Sequence, residues 1–510
     1  MKFPRASGIL LHPTSLPGER GIGELGPQAY RFLDYLREAG MKIWQVLPLN
    51  PTGYGDSPYQ SFSAFAGNPI FISLDLLAEQ GLLGKQDLAN APDFPDDRVE
   101  FAQVIAYKHA VLRVAAKNFH TQAKSELRAE YAEFVTRHAS WLDDFALFMA
   151  AKDAHQGVVW TEWASDLAKR EPDALKEWGA RLADEIAAHK FWQFEFYRQW
   201  HAIQHYANKH GIRIMGDLPI YVAHDSADVW AHPGLFFLDE RGDPTKVAGV
   251  PPDYFSATGQ LWGNPIYRWE AIRQHGYRWW IERFRAVLEM FDMVRVDHFR
   301  GFEAHWEIPA GEPTAMNGKW VKGPGADLFE AVTRALGELP IVAENLGVIT
   351  PAVEAIRHQF GYPGMAILQF AFSTDPQAPS FRPHNYVRAL VAYTGGHDND
   401  TMFGWWRGGT GESTRSPEDV RKEHHDAQMY FDVFEADFDR EVNWIFIREV
   451  MRSVADTVLF PMQDVLGLGS EARMNIPGTL GHNWTWRMKP DDLRHQDAER
   501  LKEWTEIYER

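Results

Sequence analysis

A (β/α)8 barrel of the α/β class is the fold this sequence predicts, on three observations. Short apolar runs end in polar, Gly or Pro clusters, helical periodicity fills the stretches between them, and the runs number eight. In order, the candidate strands are Gly8–His12, Ile43–Pro48, Ile212–Leu218, Met293–Phe299, Ile341–Asn345, Met365–Phe370, Ala389–Thr394 and Thr457–Met462. Between the first two, Tyr30, Leu33 and Leu36 form one apolar stripe that stops at Gly40, which suits a helix C-terminus. After the fifth, Thr350 is placed as an N-cap with Pro351 in the first helical position, Val353 and Ile356 share a face, and Gly361 follows. Two connections exceed what a barrel helix requires. Residues 51–211, after the second strand, hold helical stretches such as Phe101–Phe119 and Phe191–His210 and predict a mostly helical inserted subdomain. Residues 221–293, after the third, carry Pro251, Pro252, Gly259, Gly263 and Pro265 and read as an irregular inserted loop over the mouth. In a barrel such loops leave the C-terminal strand ends, where active sites sit. Residues 1–510 read as one barrel domain with no C-terminal β-sandwich after the eighth strand.

Composition narrows the partners. The 52 basic against 70 acidic residues give a net charge of −18, which repels phosphate backbones and anionic membranes, so neither nucleic acid nor a membrane is expected. Zero cysteines exclude disulfides, thiolate nucleophiles and cysteine metal sites. No basic segment followed by an apolar stretch opens the chain and no run of about 18 apolar residues occurs, which points to a cytoplasmic protein. The surplus lies in aromatics, with 20 Trp, 17 Tyr and 32 Phe, and flat rings lining a cleft suit the apolar faces of sugars.

Three candidate strands end in acidic residues within short polar clusters: Arg295-Val296-Asp297-His298, Ala343-Glu344-Asn345 and Gly396-His397-Asp398-Asn399-Asp400. One such acid could merely cap a following helix. Three on one barrel would converge on its mouth, where a nucleophile and a proton donor are wanted. Retaining glycoside transfer is one chemistry that uses such a set. Arg295 lies two residues before Asp297, so on a strand the two side chains share a face and the guanidinium can hold that carboxylate ionised. Glu344 emerges from the apolar run Ile341-Val342-Ala343, a setting that favours its protonated form, as an acid/base requires.

These runs, together with Ser7–Ser15, Gly53–Tyr59, Gly216–Tyr221, Gly249–Phe255, Pro461–Asp464 and Asn475–Thr479, resemble the motifs of the 4-α-glucanotransferases, the amylomaltase or disproportionating-enzyme family, glycoside hydrolase family 77 of the α-amylase clan. The resemblance spans nearly the whole chain. It implies Asp297 as nucleophile, Glu344 as acid/base and Asp398 as the third carboxylate, which stabilises the transition state. It implies Arg295 and His397 as holders of the −1 glucosyl unit, the sugar on the donor side of the scissile bond, and Asp217 as the clan's first acid. Ser57, Tyr59 and Trp262 match glucan-contacting positions near the acceptor side, and Tyr54 matches an aromatic of a remote glucan-binding groove. The implied substrates are maltooligosaccharides, amylose and glycogen, with glucose as an acceptor. The same carboxylates would serve an α-1,4-glucan hydrolase, and the aromatics alone would serve a glucan-binding protein.

Other readings are weaker. Gly21-Ile22-Gly23-Glu24-Leu25-Gly26 has a dinucleotide-binding spacing, but the acid wanted about 20 residues later for the ribose is missing, since Trp44, Gln45, Val46 and Leu47 stand there. Gly408–Thr414 lacks the lysine of a phosphate loop. His397, Asp398 and Asp400 do not complete a metal shell, because adjacent residues on an extended segment point to opposite faces. Neither cofactor nor metal is expected. The charges of Asp492–Arg510 read as a solvated terminal helix.

Overall fold

All eight expected strands form, and they build one sheet of parallel neighbours. The computed structural model describes residues 3–252, 256, 258–408 and 416–510. In chain order the strands are β1 (Ala6–Leu10), β2 (Ile43–Gln45), β3 (Arg213–Leu218), β4 (Lys246–Val250), β5 (Gln260–Pro265), β6 (Met293–Val296), β7 (Ala304–Pro309), β8 (Lys319–Lys322), β9 (Ile341–Ala343), β10 (Gly364–Ile367), β11 (Leu390–Tyr393) and β12 (Thr457–Pro461). The parallel sheet runs β10-β11-β12-β1-β2-β3-β6-β9, and its two ends nearly close into a barrel. At that seam the Ala343 N–H donates to the Pro363 carbonyl at 2.9 Å and the Met365 N–H to Asn345 Oδ1 at 2.8 Å.

Every strand of the parallel sheet sends a side chain into the barrel interior. Ala6, Ile43, Met215, Met293, Val342, Met365, Val391 and Leu459 form a buried cluster inside the barrel. Side chains on a strand alternate faces, so two residues further along β3, β6 and beyond β9 the same inward direction brings Asp217, Arg295 and Glu344. Apolar floor and charged mouth are therefore consecutive levels of one stack. Gly8 leaves the room this stack needs, because a Cβ there would lie 2.3 Å from the Ile43 carbonyl oxygen and 2.8 Å from Leu459 Cδ2.

The helices follow the expected pattern. Pro27–Glu38 buries Phe32, Leu33 and Leu36 and ends before Gly40, whose φ of 71° is left-handed. The long connection after β2 holds the helices Phe101–Gln122, Ser125–Ala154 and Ala183–Lys209. Pro351–Gln359 starts after Thr350 as expected, but the Thr350 side chain makes no capping bond. The terminal helix His495–Ile507 is not solvated all round: it buries Ala498, Leu501 and Thr505, and the buried Arg510 guanidinium donates to the carbonyls of Val450, Met451 and Ala455.

The connection after β3 differs from an irregular loop. It contributes β4 and β5, which join β7 and β8 from the connection after β6 in an antiparallel sheet ordered β5-β4-β7-β8. Its strands carry Gly263 and Pro265, which read as breakers in sequence, as well as Gly249, and all three are tolerated here next to a register shift or on an edge strand. Asp253, Tyr254 and Phe255 of the Gly249–Phe255 motif, and residues 409–414 of the weak phosphate-loop reading, lie outside the described residues.

The interior packing makes a direct prediction. Gly8→Ala forces a methyl group against Ile43 and Leu459 and should cost about 1–3 kcal/mol of stability, read as a lower denaturant midpoint. An unchanged midpoint would show that the barrel interior has slack at this level.

Candidate active site

Arg295 ties the mouth together. It pairs in register with Asp217 across β6 and β3, and its Nη1 reaches Asp217 Oδ2 at 2.6 Å while Nη2 reaches Asp297 Oδ1 at 2.8 Å. Arg295 is only 7% exposed. Burial works against its charge, but Asp217 and Asp297 outweigh that effect and hold the guanidinium protonated well beyond the ordinary arginine range. Asp217 Oδ2 also accepts the Tyr59 hydroxyl at 2.7 Å, whereas its Oδ1 is buried with no partner in the protein.

Glu344 stands just past β9, 8% exposed. Burial pushes its carboxyl up to about 7, against the pull of Arg295; the nearby Asp297 adds to the rise. Its two oxygens accept backbone N–H groups, Oε2 from His298 and Oε1 from Leu346, each at 2.8 Å. The His298 bond depends on a left-handed residue, with φ 48° and ψ 50°, immediately after Asp297. Such a conformation costs a non-glycine residue about 1–3 kcal/mol, and here it aims the turn that follows Asp297 at Glu344. The backbone couples the two carboxylates as well, since the Glu344 N–H donates to the Val296 carbonyl at 3.0 Å.

Asp398 lies in the segment that leaves β11, with half of its side chain exposed. Asn475 Nδ2 donates to its Oδ1 at 2.7 Å, and His397 Nε2 lies 3.4 Å from the same oxygen. His397 stacks on Tyr59, with ring centres 5.2 Å apart, and Trp484 leans on both rings. Tyr59 thus bridges Asp217 through its hydroxyl and His397 through its ring. Burial and the charge of Asp217 keep that hydroxyl protonated far above its usual range.

The structure therefore brings together Asp217, Arg295, Asp297, Glu344, Tyr59, His397 and Asp398. Tyr59, matched by resemblance to the acceptor side, groups with Asp217 and His397. Trp262, half-buried on β5, meets the His298 ring edge-on at 4.9 Å, and Gln60 donates to its carbonyl at 3.4 Å, which fastens the two loops. Ser57 accepts the Tyr59 N–H at 3.3 Å and shapes that loop without touching a carboxylate. Tyr54 stands apart at the loop tip, 73% exposed. Sequence reasoning did not single out His298, Asn475 or Trp484. The first two lay inside quoted motifs, whereas Trp484 reaches the site through a turn at φ 65° that no local pattern announces. Among the described residues no three His, Asp or Glu side chains are grouped to hold a metal ion, and no helix is long and apolar enough to cross a membrane.

Tyr59→Phe keeps the ring on His397 and deletes the hydroxyl. A hydrogen bond to a charged partner is worth about 1.5–3 kcal/mol, so the variant should unfold at lower denaturant with its fold intact by circular dichroism. Wild-type stability would show that the Asp217 contact is not made in solution.

A family model described as 4-alpha-glucanotransferase matches residues 11–494. A 4-alpha-glucanotransferase of Thermus thermophilus is 52% identical, with 100% of both chains covered, and one of Synechocystis is 51% identical over 99% of this chain and 98% of its own. Among solved structures, an amylomaltase from Streptococcus agalactiae in complex with acarbose superposes with a TM-score of 0.93 at 40% identity, covering 99% of each chain.

Proposed function

The chain belongs to the 4-alpha-glucanotransferase family, and on that premise we propose the residue roles by which it passes a segment of one α-1,4-glucan to the 4-hydroxyl of another with net retention. Glucan transglycosylation is its activity, and neither a hydrolase nor a non-catalytic binding protein is favoured. One observation carries the assignment of roles: of two neighbouring carboxyls, Asp297 is ion-paired with the Arg295 guanidinium while Glu344 is pushed up to about 7 by burial.

Asp297 attacks the anomeric carbon as that carbon's bond to the leaving oxygen breaks, and Glu344 delivers its proton to that oxygen. The fragment stays as a β-glycosyl ester on Asp297. The 4-hydroxyl of an incoming glucan, or of glucose, then attacks the same carbon. Its proton passes to the Glu344 carboxylate while the ester bond breaks and frees Asp297. Two inversions leave the α-linkage. Asp217 Oδ1, buried and unpartnered, is an acceptor suited to a hydroxyl of the −1 sugar, which Arg295, His397 and Tyr59 also surround. Asp398 is the third carboxylate, stabilising positive charge at the anomeric carbon. Trp262 and Ser57 belong to the acceptor side and Tyr54 to a remote glucan groove. Transfer outcompetes hydrolysis because the loops bearing Tyr59 and Trp262 hold a bound acceptor at high effective molarity and keep bulk water away.

Asp297→Ala, Glu344→Ala and Asp398→Ala should each abolish transfer with the fold intact. In Glu344→Gln a glucosyl fluoride, which needs no proton on its leaving group, should still glycosylate Asp297 and remain there; peptide mass spectrometry would locate the adduct, and its presence on another residue would overturn the assignment. Trp262→Ala should lower transfer from maltotriose more than hydrolysis, raising new reducing ends relative to released glucose. An unchanged ratio would remove Trp262 from the acceptor side.

A further inference from the structure

The reaction leaves the Pro461–Asp464 run without a part, yet that run ends in a buried acid at the root of the loop that carries His397 and Asp398. Asp464 is 1% exposed and lies just past β12. The hydroxyl of Thr394, the residue after β11, donates to its Oδ2 at 2.7 Å, and the Met402 N–H, at the start of the helix Met402–Arg407, donates to its Oδ1 at 2.9 Å. Residues 395–401 run between those two donors and contain both His397 and Asp398. One carboxyl group therefore closes the two ends of one loop. Burying a carboxyl is unfavourable, and burial pushes this one up to about 6, with Asp400 adding to the rise. An apolar side chain would fill the same space without that cost, so what the acid adds is its two hydrogen bonds.

Asp464 is itself fixed, because Asn443 Nδ2, on the helix Glu435–Arg452, donates to its carbonyl at 2.7 Å. The tip of the loop is held by the chain that follows Asp464. Arg473 Nη2 donates to the Asp398 carbonyl at 2.6 Å, the Asn475 N–H donates to the His397 carbonyl at 3.1 Å, and Asn475 Nδ2 orients the Asp398 carboxylate. Root and tip are thus anchored to one segment, residues 464–475. Half of the Asp398 side chain is exposed, so hydrogen bonds rather than packing set its position. Without the two bonds at the root, the loop is free to shift against the segment that orients its carboxylate. Resting on the role given to Asp398 above, we infer that Asp464 is a positioning residue for the reaction: by bonding Thr394 and Met402 it closes the loop 395–401 and fixes where the Asp398 carboxylate stands relative to the anomeric carbon.

Alanine and asparagine at this position separate the bonds from the bulk. Asp464→Ala deletes both bonds, whereas in Asp464→Asn the Oδ1 still accepts the Met402 N–H and the Nδ2 donates to Thr394 Oγ1, a hydroxyl that accepts as well as it donates. Asp464→Ala should lower kcat for maltotriose disproportionation about 10- to 100-fold, the loss that a displacement of about 1 Å brings, and leave KM for glucose as acceptor within about twofold. Asp464→Asn should keep kcat within about threefold of wild type. Calorimetry with acarbose, whose flattened ring and basic nitrogen mimic the transition state, reads whether the loss passes through Asp398. Asp464→Ala should weaken acarbose about tenfold in the wild-type background and less than about twofold in an Asp398→Ala background. Amide hydrogen exchange should quicken in residues 395–401 of Asp464→Ala and hold in residues 297–302. Should that variant fold poorly, Thr394→Val, which removes one of the two bonds, should show the same pattern with smaller changes. Equal acarbose losses in both backgrounds, an Asp464→Asn as impaired as Asp464→Ala, or unchanged exchange in 395–401 would overturn the positioning role. Quickened exchange together with wild-type kcat in Asp398→Ala would instead contradict the role of Asp398 and leave the closure of the loop by Asp464 standing.

Discussion

A guanidinium buried among carboxylates is the constraint on which the rest of this site depends. Arg295 could not remain charged inside the barrel unpaired, since removing one partner of a buried ion pair typically costs about 3–5 kcal/mol. The register of β3 and β6 places Asp217 beside it, and the period of the strand places Asp297 on the same face. Glu344 stands at the end of an apolar strand, and burial there raises its carboxyl against the pull of Arg295, with Asp297 adding to the rise. The division of labour between attack and proton transfer thus follows from burial at Glu344 and the ion pair at Asp297.

The surrounding residues preserve this arrangement from distant parts of the chain. Tyr59 arrives from the connection after β2, His397 and Asp398 from the one after β11, and Asn475 and Trp484 from beyond β12. Each contact is oriented by a second one: Tyr59 by Ser57, Asp398 by Asn475, Trp262 by Gln60. The barrel supplies rigid strand ends, and the inserted loops supply aromatic surface, so chemistry and substrate grip are carried by different elements of one fold.

The barrel and its charged mouth were legible in the sequence for a physical reason: buried parallel strands read as short apolar runs, and period two then dictates which acids face inward. Arg295 beside Asp297 and a raised Glu344 follow from that logic with no structure in hand. The inserted antiparallel sheet was not legible, because β4 and β5 contain glycines and a proline and owe their form to pairing with β7 across the sequence. Position relative to the substrate was equally hidden. Tyr59 and Trp262 both occupy Gly- and Pro-containing segments, and only tertiary contacts distinguish the ring stacked on His397 from the ring against His298. Thr350 shows the opposite failure, a capping residue by local pattern whose hydroxyl the fold leaves unused.

The central claim is that burial holds Glu344 well above the ordinary glutamate range beside an Asp297 that is ion-paired with the buried Arg295. Carboxyl-labelled NMR of the folded protein, with Glu344 identified by its loss in Glu344→Gln, tests this most directly. The account predicts that Glu344 titrates near pH 7 and that Asp297→Asn lowers this value by removing a neighbouring negative charge. Titration in the ordinary glutamate range in the wild type, or a value indifferent to Asp297→Asn, would contradict it.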